Sequence, residues 1–282
     1  MKEYIEIKAP AKINIGLKIV SKREDGYHNL YTFFYPIYGL SDILSFKKNN
    51  ADYFISNNPA IKNDESNLII KAKRLIESRI SKNLKTGITL QKNIPMGAGL
   101  GGGSSDAAAT LISLNELYSL HISYDELIQM ALELGSDVPF FLKAKPSIGQ
   151  SRGEVLEQID VDINCFVLIV NPHIHISTAE AFGYVHASES NWDYKKMIEA
   201  EKFNFSRLQN DTRNDFEDFV FAKHPEIKAI KNILIENGSL FSMMSGSGST
   251  VYGFFNSRES ALNVSNKLNH SFLRRIYNLS DY

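Results

Sequence analysis

Between residues 95 and 106 the chain reads Pro95-Met96-Gly97-Ala98-Gly99-Leu100-Gly101-Gly102-Gly103-Ser104-Ser105-Asp106, with five glycines in seven positions. An apolar run at Ile88 to Leu90 precedes it and ends at Pro95, and Ala107, Leu111, Leu114 and Leu117 follow at helical spacing. The local order is therefore strand, glycine loop, helix. Residues without a Cβ let backbone N–H groups approach a ligand, and a helix N-terminus offers unpaired donors with about half a positive charge. The natural occupant is an anion such as a di- or triphosphate. Ser104-Ser105-Asp106 reads as the cap of the helix, and the two hydroxyls can meet phosphate or magnesium.

Familiar phosphate loops fit this stretch poorly. Gly97, Gly99 and Gly102 satisfy G-x-G-x-x-G, but Pro95 interrupts the strand and the loop lies mid-chain, which argues against a dinucleotide fold. There is no G-x-x-x-x-G-K-[ST], and a helix rather than a strand follows, which removes the P-loop and protein-kinase classes.

The rest of the chain predicts an α+β protein. Tyr4 to Lys8 alternates as a strand, and after Pro10 a second run places Ile13, Ile15, Leu17 and Ile19 on one face and Lys12, Asn14 and Lys18 on the other. Ser66-Asn67 opens a helix ending near Asn83, and Ser123 with Glu126 makes a capping box for a helix that stops at Gly135. From Gly149 to Glu157 the pattern is polar and turn-like, so a boundary near 155 divides the chain into domains 1–155 and 156–282. The second half predicts strands at 164–170 and 250–255, with helices near 195–202, 225–237 and 258–268.

Composition narrows the partners. Lys and Arg number 31 against 32 acids, a net charge of −1, which leaves no electrostatic footprint for nucleic acid. Cys165 is the only cysteine, so no internal disulfide or cysteine zinc cluster forms, and its apolar run to Val170 predicts a buried thiol. That run is far short of the roughly 20 residues that span a bilayer, and the N-terminus opens no secretory h-region. A cytoplasmic protein with no membrane partner is expected.

Several segments then converge on one resemblance. Pro95 to Ala108 resembles the phosphate-binding motif of the GHMP kinase superfamily, which includes galactokinase, homoserine kinase and mevalonate kinase. Ala9-Pro10-Ala11-Lys12-Ile13-Asn14 resembles its first motif. Arg23-Glu24-Asp25-Gly26-Tyr27-His28, Gly135-Ser136-Asp137-Val138-Pro139-Phe140-Phe141 and Ser177-Thr178 through Phe182 follow in family order. So do Asn214-Asp215-Phe216-Glu217 and Met244-Ser245-Gly246-Ser247-Gly248. The string Leu100 to Ala108 looks most like the branch that phosphorylates a cytidine diphosphate-linked methylerythritol in the non-mevalonate isoprenoid pathway. The pattern departs at Lys143-Ala144-Lys145-Pro146, where many members carry glycine, and at Ser151, which replaces a frequent glycine before Arg152-Gly153-Glu154.

The resemblance implies a two-domain GHMP kinase fold, with an N-terminal domain like ribosomal protein S5 domain 2 and a ferredoxin-like C-terminal domain, ATP and the alcohol meeting between them. It implies ATP bound by Pro95, Met96, Gly97, Ala98, Gly99, Leu100, Gly101, Gly102, Gly103, Ser104 and Ser105. Lys12 and Asp137 are its catalytic pair, and Asn14, Tyr27, His28 and Phe182 its substrate-binding residues. Asp137 would accept the alcohol proton, although Asp before Val-Pro also suits a helix N-cap. Mg²⁺ is the expected cofactor with no side chain assigned as a direct ligand, and monomer and homodimer both remain open. His173 and His175 would share a face if their segment were a strand, but they lack a third metal ligand. The competing readings are a homoserine- or mevalonate-type kinase, which would not need the Asp-Gly-Tyr-His segment, a non-catalytic nucleotide sensor, and a scaffold with structural glycines.

Overall fold

Alternation from Tyr4 onward runs through Pro10 without a break. In this computed structural model, which describes residues 2–188, 192–199 and 202–280, Tyr4–Lys22 is one strand, β1. The expected division at Pro10 is thus corrected. The strand that pairs with β1 is β2 (His28–Lys48), and a residue lacking an N–H is tolerated where no second ladder requires it.

The chain continues through β3 (Tyr53–Ser56), α1 (Leu68–Ile80), β4 (Thr86–Gln91), α2 (Gly102–Leu117), α3 (Tyr124–Leu134) and α4 (Val138–Phe141). Next come β5 (Ser147–Ser151), β6 (Val155–Gln158), β7 (Phe166–Asn171), α5 (Thr178–Tyr184), α6 (Tyr194–Met197), β8 (Ile198–Glu199) and β9 (Lys202–Phe203). The last elements are α7 (Phe205–Asp211), α8 (Glu217–Lys223), α9 (Pro225–Glu236), β10 (Phe241–Met244), β11 (Val251–Phe255), α10 (Arg258–Ser265) and β12 (Leu273–Asn278). Two compact units result. The first holds residues 1–11, 40–96 and 101–144, and the second 12–39, 97–100 and 145–282.

In the first unit, the crossover through α1 sets β3 parallel to β4, with Tyr53 opposite Gly87, while β4 runs antiparallel to the far half of β2, Ile43 opposite Gln91. Asn67 caps α1 as expected, its Oδ1 accepting from the Ile69 N–H, but the helix stops at Ile80, where Ser81 turns left-handed. The capping box of Ser123 and Glu126 and the stop at Gly135 are both present. The alanine-rich helix α2 is buried along Ala107, Ala108, Leu111 and Leu114 because α1, α3 and α4 all pack against it. It does not begin at Ser104-Ser105-Asp106. Gly101 takes φ 72 as N-cap and its carbonyl accepts from the Ser105 N–H at 2.9 Å, so the helix starts at Gly102 without a side-chain cap.

In the second unit, Leu30 to Phe34 of β2 pair with β5, and β5 and β6 form a hairpin with Ser147 opposite Gln158. The stretch expected to be a loop from Gly149 is therefore mostly strand, with only the turn after Ser151 left irregular. Strand order β10-β11-β7-β12, with α8 and α9 between β7 and β10 and α10 between β11 and β12, is the ferredoxin-like arrangement. Leu168, Val170, Val251 and Phe255 bury its sheet face against Ile227, Ile230, Leu234, Ala261 and Val264 of α9 and α10. The helix expected over 195–202 is corrected to the single turn α6, followed by the pair Ile198 and Phe203 in β8 and β9, with residues 200 and 201 outside the described set. Tertiary contact overrides the helical pattern, since Tyr194 is fully buried and its hydroxyl donates to Ile15 O at 2.7 Å. Cys165 is buried as expected, and burial pushes its thiol up to about 12. Among the described residues no helix is long and apolar enough to cross a membrane.

Candidate functional site

Strand alternation alone puts Lys12 and Asn14 on one face of β1, and the second unit keeps both side chains out of water, at 3% and 2% exposure. Lys12 Nζ donates to Asn14 Oδ1 at 2.6 Å and to Gly99 O at 3.0 Å, and lies 5.8 Å from the Phe34 ring centroid. Asn14 Nδ2 in turn donates to Thr32 Oγ1 at 3.0 Å, so the amide is held from both ends. Lys18 turns to other partners, a 3.3 Å ion pair with Asp215 and a hydrogen bond to Ser188.

The first part of the glycine loop belongs to the same unit and is fastened to this lysine. Leu100 O accepts from the Lys12 N–H at 2.9 Å, and Gly99 O accepts from Ser245 Oγ at 2.8 Å as well as from Lys12. A Cβ on Gly99 would lie 2.0 Å from Ser245 O, and φ is +74 there, so only glycine fits. The turn after β10 is held by Asn214, whose Nδ2 donates to Met244 O and Gly246 O at 2.8 and 2.7 Å. Three separated sequence motifs thus make one fixture around an ammonium.

On the β1–β2 connection, Arg23 and Tyr27 close a turn through Gly26 at φ 86, and Asp25 accepts from the Tyr27 N–H and from Arg23. Tyr27 is 52% exposed with the Arg152 guanidinium 4.6 Å from its ring centroid. His28 stacks on Phe182, centroids 4.9 Å apart and planes 15° from parallel. Burial, with Lys22 nearby, holds the His28 imidazole below its usual value, so the neutral ring is the form present at pH 7. The segment carrying His173 and His175 is not a strand, since His173 has φ 62, and the premise that the two imidazoles share a strand face is corrected.

The remaining expected residues lie in the first unit. Pro95 is half-buried and Met96 exposed, while Gly101, Gly102, Gly103, Ser104 and Ser105 form the cap and first turn of α2. Ser105 Oγ is buried with no hydrogen-bond partner, in a turn whose N–H groups are the donors a helix leaves unused. Asp137 occupies the N-cap position of α4, yet its side chain makes no capping hydrogen bond, so the capping account does not explain the residue.

Comparison with known proteins separates fold from branch. The GHMP kinases N terminal domain matches residues 67–145 and the GHMP kinases C terminal domain residues 197–274. A crystal structure of 4-(cytidine 5'-diphospho)-2C-methyl-D-erythritol kinase superposes with TM-score 0.80 at 29% identity, covering 97% of this chain and 98% of that one. Homoserine kinase from Cytophaga hutchinsonii superposes nearly as well, at TM-score 0.76 over 98% of this chain and 94% of that one, but at 17% identity it speaks to fold alone. Sequence decides the branch. The 4-diphosphocytidyl-2-C-methyl-D-erythritol kinase of Chlorobium limicola is 39% identical over 261 residues, 91% of this chain and 90% of that protein. The chain belongs to the 4-diphosphocytidyl-2-C-methyl-D-erythritol kinase family of GHMP kinases.

For this member of the GHMP kinases, two features escaped the sequence. Lys92, Asp42 and Asp106 meet as a buried ion cluster under the first turn of α2, with Lys92 Nζ 2.5 Å from Asp42 and 2.8 Å from Asp106. A signal did exist, in an acid between apolar Leu40 and Leu44 and another leading an alanine run. Asn214 and Ser245 were visible only as motif letters, and their function as clamps on the glycine loop and its turn depends on contacts between distant segments.

Proposed function

We propose that this GHMP kinase transfers the γ-phosphoryl group of ATP to the 2-hydroxyl of 4-diphosphocytidyl-2-C-methyl-D-erythritol. The observation that carries the reaction class is the buried Lys12 ammonium held on Asn14 and on the glycine loop at Gly99. A desolvated cation anchored to a loop of backbone donors suits charge stabilisation in phosphoryl transfer. The substrate is supported by the activity in the relatives' names, and Tyr27 with the stacked His28 and Phe182 offers aromatic faces of the type on which a pyrimidine stacks.

In this reading the amides of the glycine loop and of the first turn of α2 bind the phosphates, with Ser104 and Ser105 adding hydroxyls. Asp137 accepts the proton of the attacking hydroxyl, and Lys12 stabilises the charge of the transferring phosphoryl group. Asn14 fixes the lysine and faces the alcohol, while Tyr27, His28 and Phe182 hold the cytosine. The orphaned hydroxyl of Ser105 fits a phosphate oxygen or a metal-bound water, so Ser104 and Ser105 would hold magnesium through that shell. When bound, magnesium supplies neutralisation of the β and γ oxygens. The family-domain matches at 67–145 and 197–274 support a domain division near 155. A net charge of −1 and a lone buried cysteine support a cytoplasmic enzyme with a small-molecule substrate, without nucleic acid or membrane partners, as monomer or homodimer.

The test is ADP release from MgATP with the cytidyl substrate, beside homoserine, mevalonate and galactose, for wild type and Asp137→Ala. Turnover of the cytidyl substrate alone, lost by at least 100-fold in the variant, is expected. Preference for another alcohol overturns the substrate, and the absence of any alcohol-dependent turnover makes the sensor reading the better one.

A further inference from the structure

Of the residues assigned to the substrate, Asn14, His28 and Phe182 are buried or half-buried, while Tyr27 is 52% exposed. A side chain left so open loses its rotamer freedom when a ligand arrives, unless the protein has already ordered it. Tyr27 is held at both ends. Its N–H donates to Asp25 Oδ1 at 3.1 Å, and the Arg152 guanidinium lies 4.6 Å from its ring centroid. Between those two holds runs a continuous path. Asp25 accepts from Arg23 Nε at 3.1 and 3.0 Å, Arg23 Nη1 donates to Ser151 Oγ at 3.0 Å, and Ser151 Oγ donates to Glu154 Oε1 at 3.0 Å. Glu154 Oε1 then makes a 4.0 Å ion pair with Arg152 Nε, which returns the path to the Tyr27 ring.

The sheet register explains how such distant segments meet. β5 pairs with β2 as far as Ser151 opposite Leu30, which brings the β5–β6 turn beside the β1–β2 connection, although Arg23 and Ser151 are 128 positions apart. The ion pair of Arg23 with Asp25 is a third to a half exposed, and pairs of that kind are individually weak. The joint between the two segments is therefore the Ser151 hydroxyl, which accepts from a guanidinium and donates to a carboxylate at once. Ser151 does this from a left-handed backbone at φ 59, a conformation that a residue other than glycine keeps where its surroundings over-determine it. Glycine would relieve the backbone and supply neither hydrogen bond.

We propose that Ser151 is a positioning residue for the substrate: its hydroxyl closes this loop of contacts and so holds the Tyr27 ring in place before the base arrives, without touching the substrate itself. The proposal rests on the reading of Tyr27 as a contact to cytosine. The Asp25 carboxyl agrees with the closure, since its hydrogen bond from Arg23 holds it below the usual carboxylate range and both the Tyr27 N–H and Arg152 act in the same direction. Loss of the hydroxyl frees the ring, and the ordering then falls on the binding step, alike for ground state and transition state. KM for the cytidyl substrate rises about fivefold and kcat stays unchanged.

The experiment is steady-state kinetics of wild type, Ser151→Gly, Ser151→Ala, Tyr27→Ala and the double variant Ser151→Gly with Tyr27→Ala. Both Ser151 variants are expected to raise KM for the cytidyl substrate about fivefold, with kcat and KM for MgATP within about twofold of wild type. Agreement between them assigns the effect to the hydroxyl, because alanine keeps the backbone strain that glycine relieves. On the Tyr27→Ala background, Ser151→Gly is expected to add nothing, as two changes on one route do not add. An unchanged KM in the Ser151 variants, a fall in kcat alone, or the same rise in KM with Tyr27 already removed overturns the proposal. A readout without substrate accompanies the kinetics: the ¹⁹F spectrum of fluorotyrosine-labelled protein, with the Tyr27 resonance assigned from Tyr27→Phe. In both Ser151 variants that resonance is expected to narrow and move toward free fluorotyrosine, and an unmoved resonance overturns the positioning whatever the substrate is. No turnover of the cytidyl substrate, or an unchanged KM in Tyr27→Ala, counts instead against the substrate reading and with it the effect on binding, and the ¹⁹F result then decides whether Ser151 holds the ring.

Discussion

Replacing Gly99 by alanine tests whether the glycine loop is held by backbone contact or merely tolerates small residues. The new Cβ would lie 2.0 Å from Ser245 O and 3.1 Å from Gly248 O, and both are backbone atoms that no rotamer change can move. The position also has φ +74, which costs an L-residue roughly 1–2 kcal/mol. Relief requires the loop and the 245–248 turn to part, which removes the hydrogen bonds to Gly99 O from Ser245 Oγ and from the Lys12 ammonium. Those contribute about 1 and about 1.5–3 kcal/mol, so with the backbone strain the whole change is on the order of 5 kcal/mol, a fall in Tm of roughly 10–20 °C. A displacement of about 1 Å at a catalytic loop costs on the order of 100-fold in turnover. Gly103 is the control in the same glycine run, since its Cβ would meet only Leu68 Cδ1 at 3.6 Å, an ordinary contact. Gly103→Ala should raise stability by about 0.5–1 kcal/mol through helix propensity. Calorimetric melting and steady-state ADP release on both variants make the assay. If Gly99→Ala melts within 2 °C, by the scale of roughly 2–4 °C per kcal/mol, and keeps turnover within about threefold, the backbone argument is wrong.

Two further outcomes follow from other parts of the fold. Cys165, buried and pushed up to about 12, holds on the order of one part in ten thousand as thiolate at pH 8, and the reactive fraction grows only as pH rises toward 12. A thiol-specific reagent should therefore label it at the rate of unfolding, and stoichiometric labelling of the folded protein within minutes at pH 8 would contradict the burial. Ala144, at φ 49 two residues past the C-cap of α4, should be improved by glycine by about 0.5–1 kcal/mol, read as a higher urea midpoint, and a lower midpoint would show that its methyl contacts outweigh the strain.

What the sequence made legible is local chemistry. Asn67, Ser123 with Glu126, and Gly135 each announce a helix end through atoms within a few residues, and period two was enough to put Lys12 beside Asn14. What stayed hidden depends on distant partners. Residues 195–202 read as a helix by spacing, but the hydroxyl of Tyr194 just before them is committed to Ile15 O, 179 positions away, and the strand pair that follows depends on tertiary packing. The buried ion cluster of Lys92, Asp42 and Asp106 was hidden for the same reason. Asp42 and Lys92 are 50 positions apart on a chain with nearly balanced charge, where one lysine and one aspartate read as ordinary surface. The start of α2 was missed because capping by a hydroxyl is a side-chain signal, whereas Gly101 starts the helix through a left-handed backbone that leaves no letter beyond glycine itself.

The two places where the family pattern fails follow from the same distinction. The departures fall in the segment 143–146 and at Ser151, and Ala144 and Ser151 both have left-handed backbones, at φ 49 and 59. A glycine at either position would relieve backbone strain. Ser151 offsets part of its strain, since its hydroxyl accepts from Arg23 Nη1 and donates to Glu154 Oε1, each at 3.0 Å, tying the β5–β6 turn to the segment that carries Tyr27 and His28. Ala144 has no polar side chain with which to do the same, which is why glycine should help at 144 while glycine at 151 would exchange two hydrogen bonds for backbone ease.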